Sequence, residues 1–178
     1  MTKVYLRMLA VSDLLRIEPA GLEPVMSERY RSLSLPKDRH RFLGRRMAIA
    51  ALRRDLGLPA IDLPDSGGPP GGCSVSSSMD TILVAQADDP FLPIGVDLEV
   101  SRRWPEAAAI LGGTPGEAAQ AWVRLEAIAK ATGRGLPAML GAHGSDVREA
   151  SLAVWDLEVP DARAALASRP GTELVWVC

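Results

Sequence analysis

The order of segments in this 178-residue chain predicts an α+β protein made of two pseudo-symmetric α/β halves, each a small antiparallel sheet packed on a long helix. Three observations carry that expectation. Strand-like and helix-like segments run strand–helix–strand–strand, then helix–strand–strand, with the halves meeting near residue 90. Each half holds one long helical segment. Apolar residues make up 47% of the chain and charged residues 24%, so there is enough apolar material for one core or two small lobes. The expected division is residues 1–90 and 91–178.

In the first half, KVYLRML alternates apolar and polar residues and reads as a strand. SDLLRIEPAG and EPVMSERYRSLS read as short helices, with Ser12 and Ser27 as caps or early-turn residues. PKDRHRFLGRRMAIAALRRDLGLP is the clearest helix: Pro36 suits its start, and Gly57 and Pro59 stop it. Phe42, Leu43, Ile49, Leu52 and Leu56 form its apolar face. LPDSGGPPGG is a loop by composition, and SVSSS after it reads as a polar turn. TILVAQA and LPIGVDLEV are strands, expected to pair as a hairpin around DDPF.

In the second half, WPEAAAILGG and TPGEAAQAWVRLEAIAKATGRG are helical. Thr114 is the expected N-cap, Pro115 the first helical residue, and Gly133 or Gly135 the stop. ASLAVWDLEV and TELVWVC are late strands, with PDARAALAS between them read as a short helix.

Composition excludes several classes of function. The net charge of −2 gives no global pull towards nucleic acid or membrane. No apolar run reaches the roughly 18 residues of a membrane span. Cys73 and Cys178 make no disulfide framework and no zinc pattern, which points to a reduced, cytoplasmic setting. His40 and His143 are too few and too far apart in sequence for a histidine-based centre. One local feature stands out. Arg29, Arg31, Lys37, Arg39, Arg41, Arg45, Arg46, Arg53 and Arg54 fall in one stretch against only Asp38 and Asp55. Such a patch attracts an anionic ligand.

Three short patterns carry candidate chemistry. Asp97 and Glu99, two apart on a strand, share a face, and two like charges there suit an oxygen-liganded cation such as Mg²⁺; on the local pattern alone a solvent-facing strand edge bearing two acids is the simpler reading. Trp122, Glu126 and Lys130 line one stripe of a helix, where an exposed Glu–Lys pair is worth only about 0.3–0.5 kcal/mol. The hydroxyls of Ser76, Ser77 and Ser78 could hold a phosphate or simply form a polar loop.

Taken in order, the basic helix, the serine-rich turn, GVDLE and WVRLEAIAKATGRGL resemble the 4′-phosphopantetheinyl transferase superfamily, in its two-lobed form. The likeness spans roughly residues 29–136. Its strongest part is W-x-x-x-E-A-x-x-K-A-x-G-x-G-L, matched at Trp122, Glu126, Ala127, Lys130, Ala131, Gly133, Gly135 and Leu136. The second anchor is Gly95–Glu99 and the third, looser, is Arg41–Arg46.

The resemblance implies a monomeric enzyme that moves the 4′-phosphopantetheine arm from coenzyme A to a serine of an acyl or peptidyl carrier protein. It implies Mg²⁺ on Asp97, Glu99 and Glu126, with Glu126 as the base and Lys130 as the cation facing the phosphate. Coenzyme A would be held by Arg29, Arg41, Arg46, Ser76, Ser77 and Ser78 in the basic first half. Three departures are visible: Ser77 stands where the family commonly has His, Leu125 replaces a basic residue, and the segment between Glu99 and Glu126 is short. They leave a second expectation: a transferase-like fold that binds a carrier or another partner, or runs a different step, without transfer.

Overall fold

A computed structural model describes residues 1–14, 28–61, 72–101, 104–134 and 151–177. Within them the chain is α+β, with two small sheets and five helices. The strands are β1 (Lys3–Ala10), β2 (Cys73–Ser78), β3 (Thr81–Ala87), β4 (Ile94–Val100), β5 (Ala153–Leu157), β6 (Ala162–Ser168) and β7 (Glu173–Trp176). The helices are α1 (Val11–Leu14), α2 (Glu28–Ser32), α3 (Pro36–Asp55), α4 (Trp104–Leu111) and α5 (Pro115–Thr132). None of the described helices is long and apolar enough to cross a membrane.

The first sheet has the order β2-β3-β1-β7 and the second β4-β6-β5. Side-chain alternation stacks them. Val4 and Leu6 of β1 and Leu83 and Ala85 of β3 share one buried cluster with Ile94, Val96 and Leu98 of β4 and Leu166 of β6. The opposite face of β3, Ile82 and Val84, packs on Ala48, Ile49 and Leu52 of α3. The opposite face of β6, Ala165 and Ala167, packs on Val123 and Ala127 of α5. The layers therefore run α3, first sheet, second sheet, α5, with both inner sheet faces dry.

This layering overturns two expected elements. β3 and β4 do not pair as a hairpin: both edges of β3 are already taken, by β1 and β2, so the chain crosses at residues 88–93 and starts a second sheet. PDARAALAS is strand β6, not a helix. Its alanines suggest helix by propensity, but burial on both faces and close contact with α5 select a small-residue strand. The first sheet is also not purely antiparallel, because β7 runs parallel to β1. The C-terminal strand thus completes the sheet of the N-terminal segment.

Local signals set the long helices. α5 begins with a capping box: Thr114 accepts from the Glu117 N–H, and the Glu117 carboxylate accepts from the Thr114 N–H. Gly133 ends it in the left-handed conformation, with φ of 70°. α3 starts at Pro36 without a side-chain cap and ends before Gly57, φ 67°. Leu43, Ile49 and Leu52 are buried as expected, while Phe42 and Leu56 are only partly so. Ser12 lies in the first turn of α1, as expected. Its N–H and hydroxyl both donate to the Asp80 carboxylate, at 3.1 and 2.8 Å, so the turn after β2 supplies the cap. Ser27, Gly135, Leu136, His143 and Cys178 lie outside the described residues.

Candidate functional site at the seam of the two sheets

β2 and β4 are edge strands of different sheets, yet they lie side by side. Serines at every second position of β2 join them. Ser74 Oγ accepts from the Val96 N–H at 3.0 Å, and Ser78 Oγ accepts from the Val100 N–H at 3.2 Å. Ser76 Oγ donates to Asp97 Oδ1 at 2.7 Å, and Ser78 Oγ donates to Glu99 Oε1 at 3.1 Å. SVSSS is therefore not a turn but a strand whose hydroxyls stand in for a missing backbone ladder.

The three acids take up different positions. Asp97 is 6% exposed. Its Oδ1 also accepts from Lys130 Nζ at 2.7 Å, and the same ammonium donates to the Val96 carbonyl at 3.0 Å. Lys130 thus faces a carboxylate, and the pair lies on the inner side of α5. Glu126, one turn earlier, is half-buried. Burial first, then the neighbouring Asp97 charge, push its carboxyl above the ordinary glutamate range, while Lys130 pulls the other way. Glu99 turns to Ser78 and to a hollow of about 80 Å³ lined also by Glu106, Ala107, Ile110 and Trp122. Its carbonyl accepts from Trp104 Nε1 at 3.2 Å.

Gly95 makes this convergence possible. A Cβ there would lie 2.0 Å from the Ala127 carbonyl oxygen and 2.6 Å from the Ala131 nitrogen. With Ala165 and Ala167 beside it, α5 settles directly on β4, which brings Lys130 and Glu126 to Asp97. The stripe read from helical spacing then splits by function of place: Lys130 meets β4, whereas Trp122 packs under α4 with Ala107, Ala118 and Ala119.

Of the basic candidates, Arg29 lies on α2 with its side chain outside the described residues, and Arg46 sits over the Phe42 ring at 3.8 Å. Arg41 has a buried Nε with no hydrogen-bond partner. The residue that meets the serines is one the motif passed over: Arg45 Nε donates to Ser77 Oγ at 2.7 Å. Helical spacing held the signal, since Arg41 and Arg45 are four apart and share a face.

Mg²⁺ takes hard oxygen ligands, commonly one or two carboxylates completed by substrate phosphates and water. Asp97 and Glu126 fit that donor set, being close enough for the charge of one to shift the other. Glu99, the third expected ligand, turns to Ser78, and among the described residues no group of three acidic, His or Cys side chains gathers as a metal site.

No family model matches this chain, and no curated protein matches it.

Proposed function

We propose that the chain transfers the 4′-phosphopantetheine arm of coenzyme A to a serine of an acyl or peptidyl carrier protein. The observation that carries this reading is the meeting of Asp97, Glu126 and Lys130 at the contact of β4 with α5. These are residues that the sequence patterns of the transferase superfamily single out. A helix–sheet–sheet–helix order, with one long helix on each sheet, is also compatible with the two-lobed, pseudo-symmetric fold of that family. On this reading residues 1–90 hold the coenzyme through basic side chains and residues 91–178 hold the metal and the reacting groups. The protein acts in the cytoplasm as a monomer.

The chemistry follows from the side chains. A carboxyl held above its ordinary range by burial is a better base than an exposed one, so Glu126 takes the proton of the carrier serine hydroxyl. The serine oxygen forms a bond to the phosphorus that bears the pantetheine arm, and the bond from that phosphorus to the bridging oxygen breaks. The electron pair leaves with adenosine 3′,5′-bisphosphate. Lys130, held by Asp97 and the Val96 carbonyl, offers fixed positive charge to the reacting phosphate. Mg²⁺ bound by Asp97 and Glu126 would supply neutralisation of pyrophosphate charge.

A second reading has its own support. Asp97 is already satisfied by Ser76 and Lys130, and Ser77 is engaged by Arg45. A transferase-like protein that binds a carrier or the coenzyme without transfer would look the same.

Intact-mass measurement separates the two. With coenzyme A, Mg²⁺ and an apo carrier, transfer adds one phosphopantetheine arm to the carrier. Glu126→Gln removes that gain while the helix stays folded. No gain on any of several apo carriers sinks the transferase reading, and calorimetric titration with coenzyme A then asks whether binding survives.

A further inference from the structure

Arg53, in the last turn of α3, is a buried cation without an acidic partner. It is 7% exposed. Its Nε donates to the Pro59 carbonyl at 2.9 Å and its Nη1 to Gln86 Oε1 at 2.6 Å. Both acceptors are neutral. Gln86 is itself buried and fixed, its Nε2 donating to the carbonyls of Gly72 and Ala87 at 3.3 and 2.8 Å. Among the described residues Nη2 makes no hydrogen bond and no carboxylate pairs with the guanidinium. Asp55, two residues on, serves Arg7 and Arg54 instead. The Cys73 thiol feels the Arg53 charge, but burial pushes it up to about 12 and it stays neutral. The last carbonyls of α3 favour a cation only weakly, and a buried ion without a counter-ion is costly.

The same side chain lines a hollow of about 460 Å³. Gly57, with φ of 67°, turns the chain back after α3, and the Leu58 N–H donates to the Arg53 carbonyl at 2.8 Å. This return brings Leu58, Ala60 and Ile61 to the same hollow as Ile49, so its walls are mainly apolar. Arg54 lines it too, but is exposed and paired with Asp55. Small-ligand sites run from about 300 to 1,000 Å³ and join apolar walls to a few placed polar groups, which describes this hollow.

We propose that the hollow at the C-terminal end of α3 binds small apolar monocarboxylates, with the carboxylate on Arg53 Nη2 and the hydrocarbon or aromatic body on Ile49, Leu58 and Ile61. One guanidinium calls for one negative charge, and a planar carboxylate matches its donors. A phosphate dianion would bring more charge and hydration than apolar walls replace. The site is separate from the seam. Arg53 lies about 12 Å along the helix axis from Arg45, at a rise of about 1.5 Å per residue. Cys73, paired with Gln86, marks this end of β2, whereas Ser78 lies at the other end, paired with Thr81. The inference therefore stands independently of the transfer reading.

Titration calorimetry of the full chain at neutral pH tests this with octanoate, benzoate, 1-octanol and inorganic phosphate. Octanoate and benzoate should bind, and inorganic phosphate should not displace them. 1-Octanol should bind about tenfold or more weakly than octanoate, the scale of charge-assisted hydrogen bonds. Arg53→Met keeps an apolar stem and removes the charge. It should bring octanoate down to the affinity of 1-octanol and leave 1-octanol unchanged. Ala60→Trp, at an exposed position, fills the hollow and should abolish binding of both with folding intact, which keeps the test decisive if Arg53→Met unfolds. Lys37→Ala, exposed at the other end of α3, is the control and should change nothing.

No octanoate binding by the wild-type chain at millimolar concentration overturns the site and leaves Arg53 as a tie between the Pro59 turn and β3. Equal affinities for octanoate and 1-octanol overturn the carboxylate assignment, as does octanoate binding that survives Arg53→Met. Full binding in Ala60→Trp places the ligand elsewhere, and an equal loss in Lys37→Ala means diffuse attraction only; either result removes the proposal.

Discussion

Replacing Gly95 by Ala tests the contact that assembles the site. A Cβ at residue 95 would lie 2.0 Å from the Ala127 carbonyl oxygen, 2.6 Å from the Ala131 nitrogen and 2.9 Å from Lys130 Cβ. Two of these three atoms are helix backbone, so no rotamer change relieves them. To restore the 3.4 Å of ordinary contact, α5 must retreat from β4 by about 1.4 Å. That retreat opens the packing of Val123 and Ala127 on Ala165 and Ala167, all of which are 0% exposed. Overpacking of a close-packed core costs about 1–3 kcal/mol, and a backbone clash belongs at the upper end. For a chain of this size about 3 kcal/mol lowers the melting temperature by roughly 6–12 °C. It lowers the urea midpoint by about 1–2 M. The same retreat draws Lys130 Nζ from Asp97 and Val96, so on the proposed function arm transfer should weaken together with stability. Gly116→Ala is the matched control on the same helix: its Cβ would meet nothing nearer than 3.8 Å. Alanine there should be neutral or slightly stabilising. An unchanged urea midpoint for Gly95→Ala, or an equal loss for Gly116→Ala, would refute the reasoning.

Other expectations follow from the same geometry. The raised Glu126 carboxyl binds protons in the folded state that the unfolded chain, titrating near 4.5, has released, so its charge is a stability loss that grows as pH rises above that value. Glu126→Gln should therefore raise the urea midpoint at pH 7 and leave it unchanged well below pH 4.5, and a gain of equal size at both pH values contradicts the assignment. Cys73, buried and pushed up to about 12, should resist alkylation at pH 8 in the native state and react once urea unfolds the chain; peptide-resolved labelling of the folded protein decides it. Ser74→Ala leaves the buried N–H of Val96 without its acceptor and should cost about 1–3 kcal/mol in urea unfolding. A loss under about 0.5 kcal/mol would mean that water replaces the hydroxyl.

Much of the helical architecture was legible in the sequence because its signals are local. Thr114 and Glu117, Gly133, Pro36 and Gly57 mark helix ends through chemistry within a few residues. β6 was not legible, since its alanines are chosen for the approach of α5 across the sheet, and a long-range constraint leaves no periodic trace. The stacking of β4 behind β3 was hidden for a similar reason: both strands are buried on two faces, and a continuous apolar run does not say which partner lies on which edge. Within the site, the spacing of Asp97 and Lys130 in motif-like stretches pointed to the right elements. It did not show that they would meet each other, because 33 residues separate them and only the missing Cβ of Gly95 lets them touch. Arg45 carries no motif letter; helical phase, which puts it on one face with Arg41, is its only mark in the sequence.

The seam separates charge by element. Acids come from β4 and α5, the guanidiniums come from α3, and the serines of β2 stand between, donating to Asp97 and Glu99 on one side and accepting from Arg45 on the other. A hydroxyl can do both because it is donor and acceptor at once, which a backbone edge fixed by its ladder cannot do as freely. Alternation along β2 is what sorts the two sides: Ser76 and Ser78 turn to the acids and Ser77 to the arginine. Substitution at Ser76 or Ser78 therefore removes a hydrogen bond to an acid, and substitution at Ser77 removes the one to Arg45. Ser76→Ala takes one of two side-chain partners from the buried Asp97 and should lower the urea midpoint, whereas Ser77→Ala frees a partly exposed guanidinium and should leave the midpoint nearly unchanged. Equal losses of urea midpoint in both variants would mean that the two charge classes are not held apart by the strand, and the division between α3 and α5 would fall with it.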